Sequence, residues 1–150
     1  MALEIERKFL VDAEKIAALN LTGGAKISQG YLSTEPARTV RVRTKNNRGF
    51  LSVKTANVGI VRNEFEYEIP HADAVELLKI AAPFVLSKTR CKVEHAGHIW
   101  EVDFFEGRHE GLILAEVELE SAEEKVELPD WILAEVSGDP RYYNSHLAQN

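Results

Sequence analysis

The chain has 150 residues, 45% of them hydrophobic and 28% charged, which is the make-up of one globular domain with a real core and excludes a disordered chain. A net charge of −6 argues against nucleic acid as the general partner, and the single cysteine, Cys91, excludes an internal disulfide and suits a reducing cytoplasm. No stretch approaches the roughly 20 apolar residues needed to span a bilayer, and charge from residue 4 onward is unlike a secretory leader, so a cytoplasmic protein with no membrane partner is expected.

Most of the chain alternates with the two-residue period of strands. A first strand over 3–11 is followed by a short helix over Ala13–Leu19 with Asp12 placed to cap it. Strands over 25–33, 38–45 and 49–55 come next, the last two joined through the turn sequence NNRG. A fifth strand over 63–70 ends at Pro70, and helical spacing then runs from His71 to Ala81. Strands over 85–95 and 98–107 flank an Ala-Gly turn, and LILAEVELES (112–121) makes the eighth. The tail is mixed: a short helix is expected near SAEEK (121–125), followed by LPDWILAEV and SGDPRYYNSHLA. Eight strands with few helices imply an α+β fold built on an antiparallel sheet that curls or closes into a barrel.

The strands share one device. Glu4, Glu6 and Lys8 fall on one face of the first strand; Arg41, Arg43 and Lys45 alternate with Val40 and Val42, and Lys54 with Leu51 and Val53. Glu64, Glu66 and Glu68 alternate with Phe65, Tyr67 and Ile69, and Lys88, Arg90 and Lys92 with Cys91 and Val93. Glu101 and Asp103 follow, then Glu116, Glu118 and Glu120. A water-facing side of an ordinary amphipathic sheet mixes signs and uncharged polar residues. Here the charges segregate into same-sign sets, acids on some strands and bases on others. Like charges two residues apart sit roughly 7 Å from each other, a cost with no return on a free surface.

Convergence of these faces on one highly charged ligand removes the difficulty. The ionic residues then line the lumen of the barrel, with the apolar faces packed outward under the helices. Lys8, Arg41, Arg43, Lys54, Lys88 and Arg90 are suited to phosphate oxygens, the arginines bidentately and the lysines as point charges. Glu4, Glu6, Glu116 and Glu118 are hard oxygen donors of the kind Mg²⁺ or Mn²⁺ takes. Many cations beside a carboxylate-held divalent metal describe a polyphosphate site.

The same residues carry a resemblance. EIERK (4–8) matches the E-x-E-x-K signature of the CYTH superfamily, the triphosphate tunnel metalloenzymes. R-x-R at Arg41 and Arg43, SVK at Lys54, E-x-E at Glu64 and Glu66, K-x-R at Lys88 and Arg90 and E-x-E at Glu116 and Glu118 follow in family order, and SGDPRYYN resembles the ending of short bacterial members. The resemblance covers nearly the whole chain. It implies an eight-stranded antiparallel tunnel with a charged lumen that hydrolyses a small triphosphate, inorganic tripolyphosphate first, with Mg²⁺ or Mn²⁺. It implies metal ligation by Glu4, Glu6, Glu116 and Glu118, with Asp103 supporting them directly or through water, and a triphosphate grip from Lys8, Arg41, Arg43, Lys54, Lys88 and Arg90. Glu64 and Glu66 hold tunnel cations or a second metal in that picture, and Tyr31 resembles a tyrosine that works beside the lysine matched by Lys54. Lys54, Tyr31 and Glu116 are accordingly the expected catalytic set. Other outcomes within and beyond the family stay open: an adenylyl cyclase, a thiamine triphosphatase and a non-catalytic polyphosphate-binding module. The acidic set disfavours the last, and no clear adenine-binding pair is visible for the first. A homodimer is left open.

Several signals are set aside. His95 and His98 bracket a hairpin tip without further zinc ligands at useful spacing. Cys91 falls in the apolar phase of its strand, and Gly23-Gly24 lacks the Lys-Ser/Thr of a phosphate loop. Trp100 and Trp131 are expected to pack on the outer face, and Tyr142 and Tyr143 either close one tunnel mouth or pack within the tail.

Overall fold

The computed structural model describes residues 3–150. Its strands are β1 (Leu3–Val11), β2 (Ala25–Ser33), β3 (Thr39–Lys45), β4 (Arg48–Lys54), β5 (Val61–Ile69), β6 (Val85–His95), β7 (His98–Phe105), β8 (Ile113–Glu118) and β9 (Ile132–Glu135). Three α-helices accompany them: α1 (Ala13–Ala17), α2 (His71–Ala81) and α3 (Asn144–Gln149). The strands follow the order β5-β4-β3-β2-β6-β7-β8-β1-β9, and β5 also pairs with β1, so the first eight close into an antiparallel barrel.

β1 is the seam. One of its edges pairs with β8 from Glu6 to Leu10, while the other is divided between two partners. Leu3, Glu4 and Ile5 lie opposite Asn63, Arg62 and Val61 of β5, and Phe9 and Val11 meet Glu135 and Ile132 of β9. The tight connections follow turn chemistry: Asn46 takes φ 54 between β3 and β4, and Ala96 and Gly97 both take positive φ between β6 and β7, the handedness a two-residue hairpin needs.

Register places side chains that sit opposite each other on the same face. Arg41 therefore shares the inner face with Ser52 and Glu66, Arg90 with Asp103, and Lys8 with Glu116. The apolar faces point outward and are covered over most of the barrel, while Val53, Phe65 and Tyr67 on the outside of β4 and β5 are exposed. Phe9, Trp100, Val102, Ala115 and Val117 pack under α1 and the segment carrying Trp131. The rings of Phe9 and Trp100 lie 5.5 Å apart and those of Trp100 and Trp131 5.8 Å apart, both edge-on, so the two tryptophans pack outside the barrel as expected. α2 covers Val42 and its neighbours on β2–β4 through Ala74 and Ala81. It lies so close that a Cβ on Gly49 would come 2.7 Å from the Ala74 Cβ.

The structure differs from the sequence reading in four places. The helix expected near 121–125 is a bend and turn, because the Glu124 carboxylate folds back to accept from the Glu120 amide and bonds His98. β8 ends at Glu118, short of the expected 121, although the Leu119 amide still bonds the Ile5 carbonyl in register with β1 and its side chain is buried. β9 and α3 in the tail were not anticipated as regular elements. The lumen is also not ionic throughout: Tyr31, Leu86, Phe105 and Leu114 fill one end with apolar surface, and Leu147 and Ala148 of α3 pack against them.

Candidate active site

Inside the barrel lies a cavity of about 480 Å³. Its walls bring together Glu4, Glu6 and Lys8 from β1, Tyr31 from β2, Arg41 and Arg43 from β3, Lys54 from β4, and Glu64 and Glu66 from β5. Lys88 and Arg90 from β6 and Glu116 and Glu118 from β8 complete it. Every residue assigned to the metal, the triphosphate grip or the catalytic set reaches this cavity except Asp103, which is 1% exposed behind the wall. Glu68, Lys92 and Glu120 of the same ionic series lie exposed outside it.

The charges are paired across strands. Glu4 is clamped by Lys54 at 3.1 Å and Arg62 at 2.8 Å, and Lys54 also meets Glu64 at 3.1 Å. Burial alone would raise the Glu4 carboxyl, but Lys54 and Arg62 outweigh it and hold it at about 2. Glu66 takes Arg41 at 3.2 Å and Arg43 at 3.4 Å and accepts from the Ser52 hydroxyl at 2.9 Å. Asp103 receives two bonds from the Arg90 guanidinium, at 2.7 and 2.8 Å, and the Lys88 ammonium at 2.7 Å. Its oxygens are thus engaged by the two cations it orients. Burial draws the Lys88 ammonium down to about 8 despite Asp103, with Arg90 adding to the fall. Glu116 faces Lys8 at 3.6 Å and Arg90 at 3.8 Å, and against the effect of burial these and the other lysines keep it well below the usual carboxylate range.

Glu6 and Glu118 stand apart. They face each other across the β1–β8 pair, and among the described residues neither side chain has an ion pair or hydrogen bond. Burial, then Glu116 and Glu4, push the Glu6 carboxyl up to about 8, and burial with Glu4, Glu101 and Glu64 raises Glu118. A pair of hard oxygen donors that repel each other and lack a cation is chemistry that fits a divalent metal. Among the described residues no three carboxylate or imidazole groups are gathered into a ready-made metal cage. The cause is visible: Glu4 and Glu116 are drawn aside to Lys54, Arg62, Lys8 and Arg90.

Tyr31 is buried at the floor of the cavity, where its hydroxyl accepts from Gln29 Nε2 at 3.2 Å. The bond is to Gln29 rather than to Lys54, whose ammonium is taken by Glu4 and Glu64. Arg62, Ser52, Gln29 and Asn144 are among the cavity or near-cavity residues that escaped the sequence reading. Arg62 shares the inward phase of Glu64 and Glu66, so extending that alternation by one step would have found it. Ser52 is uncharged on a charged face, Gln29 lies on β2, whose inward phase carries no charge, and Asn144 belongs to a tail without periodicity. His95 and His98 meet Glu127 and Glu124 at the hairpin tip, and Cys91 is packed, both away from the cavity.

Residues 2–143 match the CYTH domain. The chain belongs to the CYTH domain family. This CYTH chain is 44% identical over 151 residues to an inorganic triphosphatase of Acetivibrio thermocellus, a match spanning 100% of the chain and 96% of the relative. It is 33% identical over 150 residues to an inorganic triphosphatase of Nitrosomonas europaea, over 97% of the chain and 96% of that protein. Among solved structures, the crystal structure of an inorganic triphosphatase superposes on the CYTH barrel with a TM-score of 0.68 at 30% identity, covering 100% of this chain and 97% of the other.

Proposed function

We propose that this CYTH chain hydrolyses a small triphosphate, inorganic tripolyphosphate before others, with Mg²⁺ or Mn²⁺. The observation that carries this reading is the division of the lumen into a carboxylate pair without a cation, Glu6 and Glu118, and a wall of buried cations around the same cavity. Those are the two halves of a site for a metal-bound polyanion. The activity of the two curated relatives supports the choice of substrate.

Glu6 and Glu118 would hold the metal, with Glu4 and Glu116 completing its ligands. Bound there, the ion supplies Lewis-acid neutralisation at the terminal phosphate. Lys8, Arg41, Arg43, Lys88 and Arg90 bind the phosphate oxygens and spread the charge that builds in the transition state. Lys54 brings its N–H donors toward the oxygen that leaves, and Tyr31 orients the phosphates from the floor. Asp103 is a positioning residue that aims Lys88 and Arg90, and Glu66 does the same for Arg41 and Arg43. In the overall step one water adds its oxygen to the terminal phosphorus, the bond to the bridging oxygen breaks, and the products are phosphate and diphosphate.

The test is a panel of tripolyphosphate, thiamine triphosphate and ATP, each with Mg²⁺ or Mn²⁺. Tripolyphosphate should give phosphate and diphosphate fastest, with activity lost in EDTA and reduced to background in Glu6→Ala, which stays folded. Full turnover in EDTA sinks the metal assignment, and cyclic AMP as the main product from ATP sinks the hydrolase.

A further inference from the structure

Two lysines of the cavity wall are held by a segment outside the barrel. After β9 the chain runs from Ser137 to Asn144 across the apolar end of the lumen before α3 packs against it. Ser137 Oγ accepts from the Lys8 amide at 2.9 Å, and the Tyr142 carbonyl accepts from Lys8 Nζ at 3.0 Å. Asn144 Oδ1 accepts from Lys88 Nζ at 3.2 Å, and Asn144 itself lines the cavity one residue beyond the stretch that matches the family.

An ammonium has three N–H donors and no acceptor, so Asn144 must present its oxygen to Lys88. Lys88 is 1% exposed, with one N–H committed to Asp103 and one to Asn144, which leaves one for a ligand oxygen. The acceptors offered by the tail are neutral. They fix the direction of each ammonium without cancelling its charge, which a carboxylate in the same place would do.

We infer that Asn144 is a positioning residue of the triphosphate site, a neutral hook that aims Lys88 at the substrate. The inference rests on the proposed function. Asn144 is also the first residue of α3, and a role confined to starting that helix makes the opposite demand. A negative charge at a helix N-terminus is favourable, so an aspartate there would serve the helix and harm the grip.

Asn144→Ala and Asn144→Asp separate the two roles, with melting temperature, steady-state hydrolysis of tripolyphosphate and calorimetric binding of tripolyphosphate without metal as readouts. Asn144→Ala should raise KM and Kd about tenfold with kcat within about threefold of wild type. Asn144→Asp should melt at or above the wild-type temperature and yet bind more weakly than Asn144→Ala. Wild-type KM and Kd in both variants of an active enzyme overturn the inference alone, as does affinity lost only in step with melting temperature. Should the wild type bind tripolyphosphate without hydrolysing it, the same ordering of Kd still decides. A wild type that neither binds nor hydrolyses it overturns both readings.

Discussion

Glu4 and Glu6 sit two residues apart on one face of β1, yet their carboxyls lie on opposite sides of the ordinary range, at about 2 and about 8. The spacing was legible in the sequence because two-residue alternation needs only neighbours along the chain. The divergence was not, since Lys54 and Arg62 reach Glu4 from β4 and β5, while burial and Glu116 of β8 push Glu6 up. The two shifts act on stability in opposite directions. Glu4, depressed, contributes stability that is present above the ordinary value of 4.5 and lost as pH falls toward about 2. Glu6, raised, is protonated in both states at low pH, but between 4.5 and about 8 the unfolded chain loses its proton first, so the folded state weakens as pH rises. The metal-free protein in EDTA should therefore melt several degrees lower at pH 8 than at pH 5. Glu6→Gln should remove most of that slope. Parallel melting curves for wild type and variant across this range would show that Glu6 is not the cause.

At the scale of elements, the sequence was most readable where one periodicity ran undisturbed. The helix expected over His71–Ala81 is α2 to the residue, and the inward phases of β3, β5, β6 and β8 are those of their charges. Legibility failed where long-range packing decides: SAEEK is pinned by Glu124, and the tail owes its strand and helix to β1 and the apolar end of the lumen rather than to its own pattern. β2 broke the ionic rule, since Tyr31 and Gln29 form part of the floor and bond to each other there. Gly49 shows how closely the outer layer is fitted. Gly49→Ala would set a Cβ 2.7 Å from the Ala74 Cβ and 3.1 Å from the Ile69 carbonyl, so α2 must shift. A loss of about 1–3 kcal/mol is expected, against almost none for Gly138→Ala, which has nothing within 4 Å. Neither glycine lines the cavity, so KM for tripolyphosphate should hold in each. A similar melting temperature for the two variants would contradict the close fit.

For the whole molecule, inward charge made a closed barrel readable in advance, because a curled sheet alone gives six cations and their acids a common interior. Where the barrel closes was not readable, since one strand had to serve three partners. Among the described residues the β1–β5 seam is held by three opposed residue pairs, against eight between β6 and β7. It carries Glu4 on one side and Arg62 on the other, joined at 2.8 Å. The shortest join in the cylinder among the described residues thus runs through the candidate site, which gives the ligand-free barrel a preferred place to breathe. Amide deuterium uptake should be faster at Leu3–Ile5 and Val61–Asn63 than along β6 and β7. Tripolyphosphate with Ca²⁺ in place of a catalytic metal should slow it there first, since a ligand that bridges the two lips raises the free energy of opening them. Uniform slowing over the whole barrel would mean that the ligand reports only global unfolding, and that closure and recognition are separate properties of this chain.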